Sequence, residues 1–341
     1  MNEKIFLGLV VFLSGVLAHA GVHLDFRGDY KSDAAYKNSS NTEVSSQQKM
    51  TLSRLRLIYS GQFNEKVSFF SRFNFQQGFI NDPTNTYQDG VTKAIDAAEV
   101  TQKMGENINL TFGKMASSMM SAWEGQTSPG DFYFASSLYY FPNLTGAKLE
   151  YKFDEPHAVY LLVTDYDQNP TDATQNRNAL GLAYKGFFLD KALGFILSYH
   201  ALPTTTSSGD QTNSYLAAGL MYKIENIYVD LNYLSRTQPR LGFGSSDYVV
   251  GSFVGTLKYF WNEWTPMMKL ESTNFSKDSI GITNNVLTYN LGVEYKPVAN
   301  ENLRYHLQYV SKTTSNDSTN PSTNPTVTQN TLYAGIRLVT P

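Results

Sequence analysis

The sequence predicts an all-β fold: a transmembrane, up-and-down antiparallel β-barrel of about sixteen strands. Three observations lead there. Apolar residues recur at every second position in one segment after another. Short turns alternate with long polar connections along the chain. After residue 20, no apolar run approaches the roughly 18 residues of a membrane-crossing helix.

The 341 residues include no Cys, 17% are charged, 14% are aromatic, and the formal net charge is −3. Without Cys there can be no disulfide scaffold, no thiolate metal site and no Cys nucleophile. A near-neutral charge balance lacks the electrostatic footprint of a nucleic-acid binder. Few charges and many aromatics argue against disorder. Residues 1–20 read as a signal peptide. Lys4 precedes an apolar stretch over 5–17, and Ala18-His19-Ala20 satisfies the small-x-small cleavage rule. Residues 21–341 are then expected to form a single barrel domain.

The period of two is plain in most segments. Val22, Leu24 and Phe26 alternate with His23, Asp25 and Arg27, and Leu55 and Leu57 with Arg54 and Arg56. Leu149, Tyr151 and Phe153 alternate with Lys148, Glu150 and Lys152. Leu287, Tyr289, Leu291 and Val293 alternate with Thr288, Asn290 and Gly292, and Leu332, Ala334 and Ile336 with Thr331, Tyr333 and Gly335. The segments are centred near residues 26, 55, 71, 98, 110, 148, 161, 182, 196, 218, 230, 253, 268, 291, 307 and 335. The fourth and seventh alternate least clearly. Each has about the 10 residues that cross an outer membrane at a tilt.

Short connections hold turn formers: Asn64-Glu65, Asp154-Glu155-Pro156, Glu225-Asn226 and Asn262-Glu263. Long ones are expected over 31–48, 77–93, 116–143, 167–176, 202–212, 237–246, 274–285 and 313–328. This alternation places short turns on the periplasmic side and long loops outside the cell. A soluble β-sandwich alternates too, but sixteen strands would need one core spanning the chain. In a barrel the apolar face meets lipid, and closure removes the sheet edges that lipid cannot solvate. Tyr, Trp and Phe gather at strand ends (Tyr151, Phe153, Trp261, Trp264, Tyr295), as in the aromatic belts of membrane interfaces.

Eight strands leave an interior that side chains fill, whereas sixteen leave an aqueous channel. The third long connection, 116–143, is expected to fold into the lumen, because Trp123, Phe132, Tyr133, Phe134, Tyr139 and Tyr140 are too apolar for a loop in water. It carries Glu124 and Asp131 and no Lys or Arg. The strand phases turn Arg27, Arg54, Arg56, Arg72 and Arg337 inward on strands that neighbour one another in a closed barrel. A constriction is thus expected, with Arg54, Arg56 and Arg72 facing Glu124 and Asp131, and Arg27 and Arg337 extending the basic wall. Opposed charges would order water across the lumen and favour small polar solutes. Alternatively, the arginines pair with inward acids such as Asp25 and Glu99 and stiffen the wall.

Residues 52–75 (LSRLRLIYSGQFNEKVSFFSRFNF), 96–115 (DAAEVTQKMGENINLTFGKM) and 141–153 (FPNLTGAKLEYKF) resemble, in this order, the N-terminal half of phosphate-selective-type porins of Gram-negative bacteria. In that family an Arg-rich strand pair precedes a D-A-x-x-E-type strand and a G-x-x-K-like strand end that leads into loop three. The resemblance implies a sixteen-stranded trimeric diffusion channel in the outer membrane, in contact with lipid and lipopolysaccharide, constricted by its third loop. Two departures stand out. Loop three lacks the basic residues of anion-selective members, which favours a general diffusion porin for small hydrophilic solutes and ions over an anion- or organic-acid-selective channel. The chain also ends Arg337-Leu338-Val339-Thr340-Pro341 rather than in an aromatic residue. A surface adhesin or receptor barrel is the remaining alternative.

No enzyme, cofactor or metal site is expected. Asp165-Tyr166-Asp167-Gln168-Asn169 lacks the Gly and Glu of a calcium loop, since Pro170 and Asn176 occupy those places. The five His residues have no paired ligand spacing, and no G-x-S-x-G or phosphate-binding loop is present.

Overall fold

The computed structural model describes residues 20–37, 42–75, 95–115, 122–125, 144–165, 178–206, 209–238, 248–277, 283–297, 302–316 and 326–340. Sixteen strands follow in order: β1 (Ala20–Lys37), β2 (Thr42–Asn64), β3 (Val67–Asn74), β4 (Ile95–Lys103), β5 (Ile108–Met115), β6 (Leu144–Asp154), β7 (His157–Asp165) and β8 (Asn178–Phe188), then β9 (Leu193–Thr206), β10 (Gly209–Ile224), β11 (Ile227–Gln238), β12 (Tyr248–Tyr259), β13 (Trp264–Lys277), β14 (Thr283–Tyr295), β15 (Leu303–Asn316) and β16 (Val327–Val339). Each expected segment centre falls inside one of them. All neighbours pair antiparallel, and β1 pairs with β16, so the sheet closes on itself.

Closure matters because a strand edge in hydrocarbon would leave backbone groups without partners. The seam is long, from Asp25↔Val339 to Lys37↔Val327. Below it, Thr340 acts as a clasp. Its N–H donates to the Leu24 carbonyl at 2.9 Å, and its Oγ1 accepts the Leu24 N–H at 2.7 Å.

The period of two is an alternation of environments. Along β14, Leu291 is 55% exposed and Asn290 1%. Leu180, Leu182, Leu231, Phe253 and Leu307 join Leu291 on the outer face, whereas Asp230, Asn232, Lys269, Glu271 and Gln308 point inward and are buried. At the short-turn end, Trp264 packs against Tyr295, with centroids 4.6 Å apart, and Tyr295 stacks on Tyr305. These rings suit the lipid–water boundary, where an apolar body meets a polar tip.

Several expected loops are shorter than the hydrophobic pattern suggested. Residues 31–37 and 42–48 form a paired hairpin extension of β1 and β2, and β9 and β10 pair up to Thr206↔Gly209. Backbone ladders need no apolar side chain, so pairing continues into polar sequence where periodicity fades. Residues 1–19, and with them nearly all of the expected signal peptide, lie outside the described residues, as does most of 116–143.

An Arg on the outer face must enter hydrocarbon, whereas a lumen-facing change stays in water. Leu291→Arg is expected to cost about 2–4 kcal/mol, and Lys148→Gln, on the inner face of β6, to stay within about 0.5 kcal/mol. Urea titration of protein folded into lipid vesicles measures both; equal effects would contradict the assigned faces.

Candidate pore wall and constriction

Alternation alone turns the basic side chains of β1, β2, β3 and β16 inward, and the closed order makes them neighbours. Asp25 is buried between Arg54, at 3.2 Å, and Arg337, at 2.8 Å. Asp29 accepts from Arg27 at 2.9 Å and also contacts His306 of β15. Asp96 meets Arg72 at 2.6 Å and Arg56 at 3.7 Å. Five guanidiniums thus share three carboxylates, and the acids are the more deeply buried partners. The surface left toward the lumen is positive. Shared carboxylates also hold the guanidiniums in fixed directions, as charge-assisted hydrogen bonds do.

The acid on β4 is Asp96, not the expected Glu99. A register shift between Arg72 and Phe73 pairs Arg72 with Ala97 and Phe73 with Ile95. Asp96 is the extra residue of this bulge. Bulges re-aim side chains, and here the bulge turns a carboxylate toward Arg72 that strict alternation would send to lipid. On the facing strand, Gly113 has φ 127, and a Cβ there would lie 2.1 Å from the Ala98 carbonyl oxygen. Only Gly fits.

The opposite side of the barrel has a different inner surface. On β8 to β12 several inward positions are apolar: Ala183, Ile196, Ala217, Met221, Leu234 and Val254 are all buried. Onto this surface packs a short helical turn, residues 122–125, from the connection between β5 and β6. Its Trp123 indole N–H donates to the Gly219 carbonyl at 3.2 Å. Asn232 Oδ1 accepts the backbone N–H groups of Trp123 and Glu124, at 2.9 and 3.1 Å. Asn232 is in turn oriented by its amide N–H donating to Asp230. Trp123 also packs on Phe187, 5.4 Å between centroids, with the Lys185 ammonium 5.2 Å above the indole. Ala122 has φ 50; a left-handed conformation in a residue with a Cβ costs about 1–3 kcal/mol and persists only when its surroundings over-determine it.

Glu124 has no exposed surface, and its carboxylate accepts from Lys269 of β13 at 2.8 and 2.9 Å. In the ring of sixteen strands, β10 and β11 stand opposite β2 and β3. The structure therefore seats Glu124 on the wall across from Arg54, Arg56 and Arg72, in a bond to Lys269 rather than to any of them. Asp131 lies outside the described residues. Lys269 and Asn232 were missed from sequence. Their inward phase was readable, between Met268 and Leu270 and between Leu231 and Tyr233, but nothing in the sequence links them to residue 124.

No family model matches the sequence, and no curated protein does. Solved structures do resemble it. The outer membrane channel DcaP of Acinetobacter baumannii superposes with a TM-score of 0.68 at 12% identity, over 94% of this chain and 97% of that one. The anion-selective porin from Comamonas acidovorans gives 0.61 at 12% identity, over 94% and 100%. OmpT, an outer membrane protein of Vibrio cholerae, gives 0.59 at 13%, over 94% and 97%.

Removing one partner of a buried ion pair costs about 3–5 kcal/mol. Lys269→Met is therefore expected to release the turn at 122–125. Chymotrypsin, which cleaves beside aromatic residues, should cut within 116–143 at least about tenfold faster, the rate change for about 1.4 kcal/mol. Adding Glu124→Gln should restore most of the protection; unchanged cleavage in Lys269→Met would sink the role given to this pair. Both in closure and in strand number, the chain has the barrel fold of the porins and channels of Gram-negative outer membranes.

Proposed function

We propose that this chain is an outer-membrane porin that passes small hydrophilic solutes and ions by passive diffusion. The observation that carries this reading is a closed sixteen-strand barrel with lipid-compatible side chains outside and charged ones inside. A barrel of this size leaves an aqueous channel. Catalysis and cofactors have no part in it. Residues 1–20 serve export, and the mature chain begins at Gly21, the second residue of β1. Homotrimerisation and contact with lipopolysaccharide belong to the same reading, by resemblance.

The connection 116–143 narrows the lumen. Its turn at 122–125 is anchored on the wall opposite the arginines, which supports a passage between that segment and Arg54, Arg56 and Arg72, with Arg27 and Arg337 extending the basic wall. Asp131 supplies negative charge on the loop side. Glu124, bound to Lys269, acts here as an anchor and not as a bare charge.

A second reading is selectivity for anions or organic acids, favoured by five guanidiniums sharing three carboxylates. The two readings separate cleanly because Arg54 and Arg56 can be removed without orphaning an acid. Asp25 keeps two hydrogen bonds from Arg337, and Asp96 keeps Arg72.

In planar bilayers, purified protein is expected to produce stepwise openings. Arg54→Ala with Arg56→Ala should move the reversal potential in a salt gradient toward cation preference. A large shift from strong anion selectivity favours the second reading and a small one the first. Protein that inserts and carries no current would end both, leaving the adhesin.

A further inference from the structure

We infer that Trp123 is the positioning residue that sets how far the turn at 122–125 stands out from the wall into the lumen, with Gly194 and Gly219 fixing the depth of its seat. The inference rests on the porin reading and deepens it.

The seat is cut from two adjacent strands. A Cβ built on Gly194 of β9 would lie 2.7 Å from Trp123 Cζ2, and one built on Gly219 of β10 would lie 2.7 Å from Trp123 Cδ1. These atoms flank the indole N–H, one on each of the fused rings. The N–H edge of the ring therefore occupies, on both sides of the nitrogen, the volume that any other residue at 194 or 219 would fill. Its N–H is tied to the Gly219 carbonyl, and Phe187 and Met221 flank it. The indole edge has no room to sink deeper into the wall. Asn232 and Lys269 then hold the next peptide and side chain, so residues 122–124 move as one unit.

This geometry gives two changes opposite signs. A methyl at position 219 meets Trp123 at 2.7 Å, the Asn232 Oδ1 at 2.9 Å and the Ala122 Cβ at 3.0 Å. Behind the seat lies β-sheet backbone, so the turn can yield only toward the lumen, and the passage narrows. Truncating the indole does the reverse: the unit loses its apolar anchor and the passage widens and fluctuates.

The absence of Cys supplies a clean rescue. The Ala122 Cβ lies 3.0 Å from a Cβ built on Gly219, so a Cys pair at these positions can bridge after a shift of about 0.5–1 Å. The experiment is single-channel recording in planar bilayers, on variants verified as folded barrels by resistance to detergent unfolding. Trp123→Ala is expected to raise conductance about twofold with added open-channel noise, and Gly219→Ala to lower it. In the combination of W123A with A122C and G219C, oxidation should bring conductance and noise back toward wild type, and reduction should undo this. Wild-type current left unchanged by both single variants would overturn this inference alone. A wild-type protein that passes no current would overturn the porin reading and this inference with it.

Discussion

Each peptide group that crosses hydrocarbon must find its hydrogen-bond partner inside the protein, and in a β-structure only a closed ring satisfies all of them. The β1–β16 seam is where this chain meets that demand. Thr340 extends the seam beyond the last strand, binding the Leu24 peptide with both its backbone and its hydroxyl. With the ring closed, the two faces of the sheet stop being equivalent. One meets lipid and requires no packing partner; the other encloses a space that its own side chains furnish.

That inner space is divided. On one side, β1 to β4 with β15 and β16 carry a network of guanidiniums over buried carboxylates. On the other, β8 to β12 present an apolar surface that would be poorly solvated if left bare, and the turn at 122–125 covers it. The turn and the wall thus explain one another: Trp123 has an apolar inner wall to rest on. The buried Glu124–Lys269 pair adds registry more than stability, since the desolvation of two charges offsets much of their attraction. It fixes which strand the turn faces.

Strand number, order and face were legible because each rests on local alternation, as in Leu287 to Val293 or Leu149 to Phe153. Strand length was less so. The hairpin over 31–37 and 42–48 pairs through its backbone, and its side chains carry no periodic signal. Of the candidate site, the inward phase of Arg27, Arg54, Arg56, Arg72 and Arg337 followed from their neighbours. Their partners did not all follow. Asp25 shares the phase of Arg27 and was foreseen, whereas Asp96 reaches the lumen through a bulge that leaves no mark in the apolar pattern. The union of Glu124 with Lys269 spans 145 positions, and no local rule connects residues so distant in sequence.

Lipid on one face and water on the other is the claim beneath all of these points, and β6 exposes both faces well enough to probe it. Single Cys substitutions at positions 147 to 153, in the otherwise Cys-free protein folded into vesicles, can be titrated with a membrane-impermeant maleimide or, in separate samples, labelled with a fluorescent maleimide before folding and quenched by brominated lipid. Reaction at 148, 150 and 152 with lipid quenching at 147, 149, 151 and 153 is the predicted result. Labelling of consecutive positions alike, or lipid contact at 148 and 150, would contradict the account.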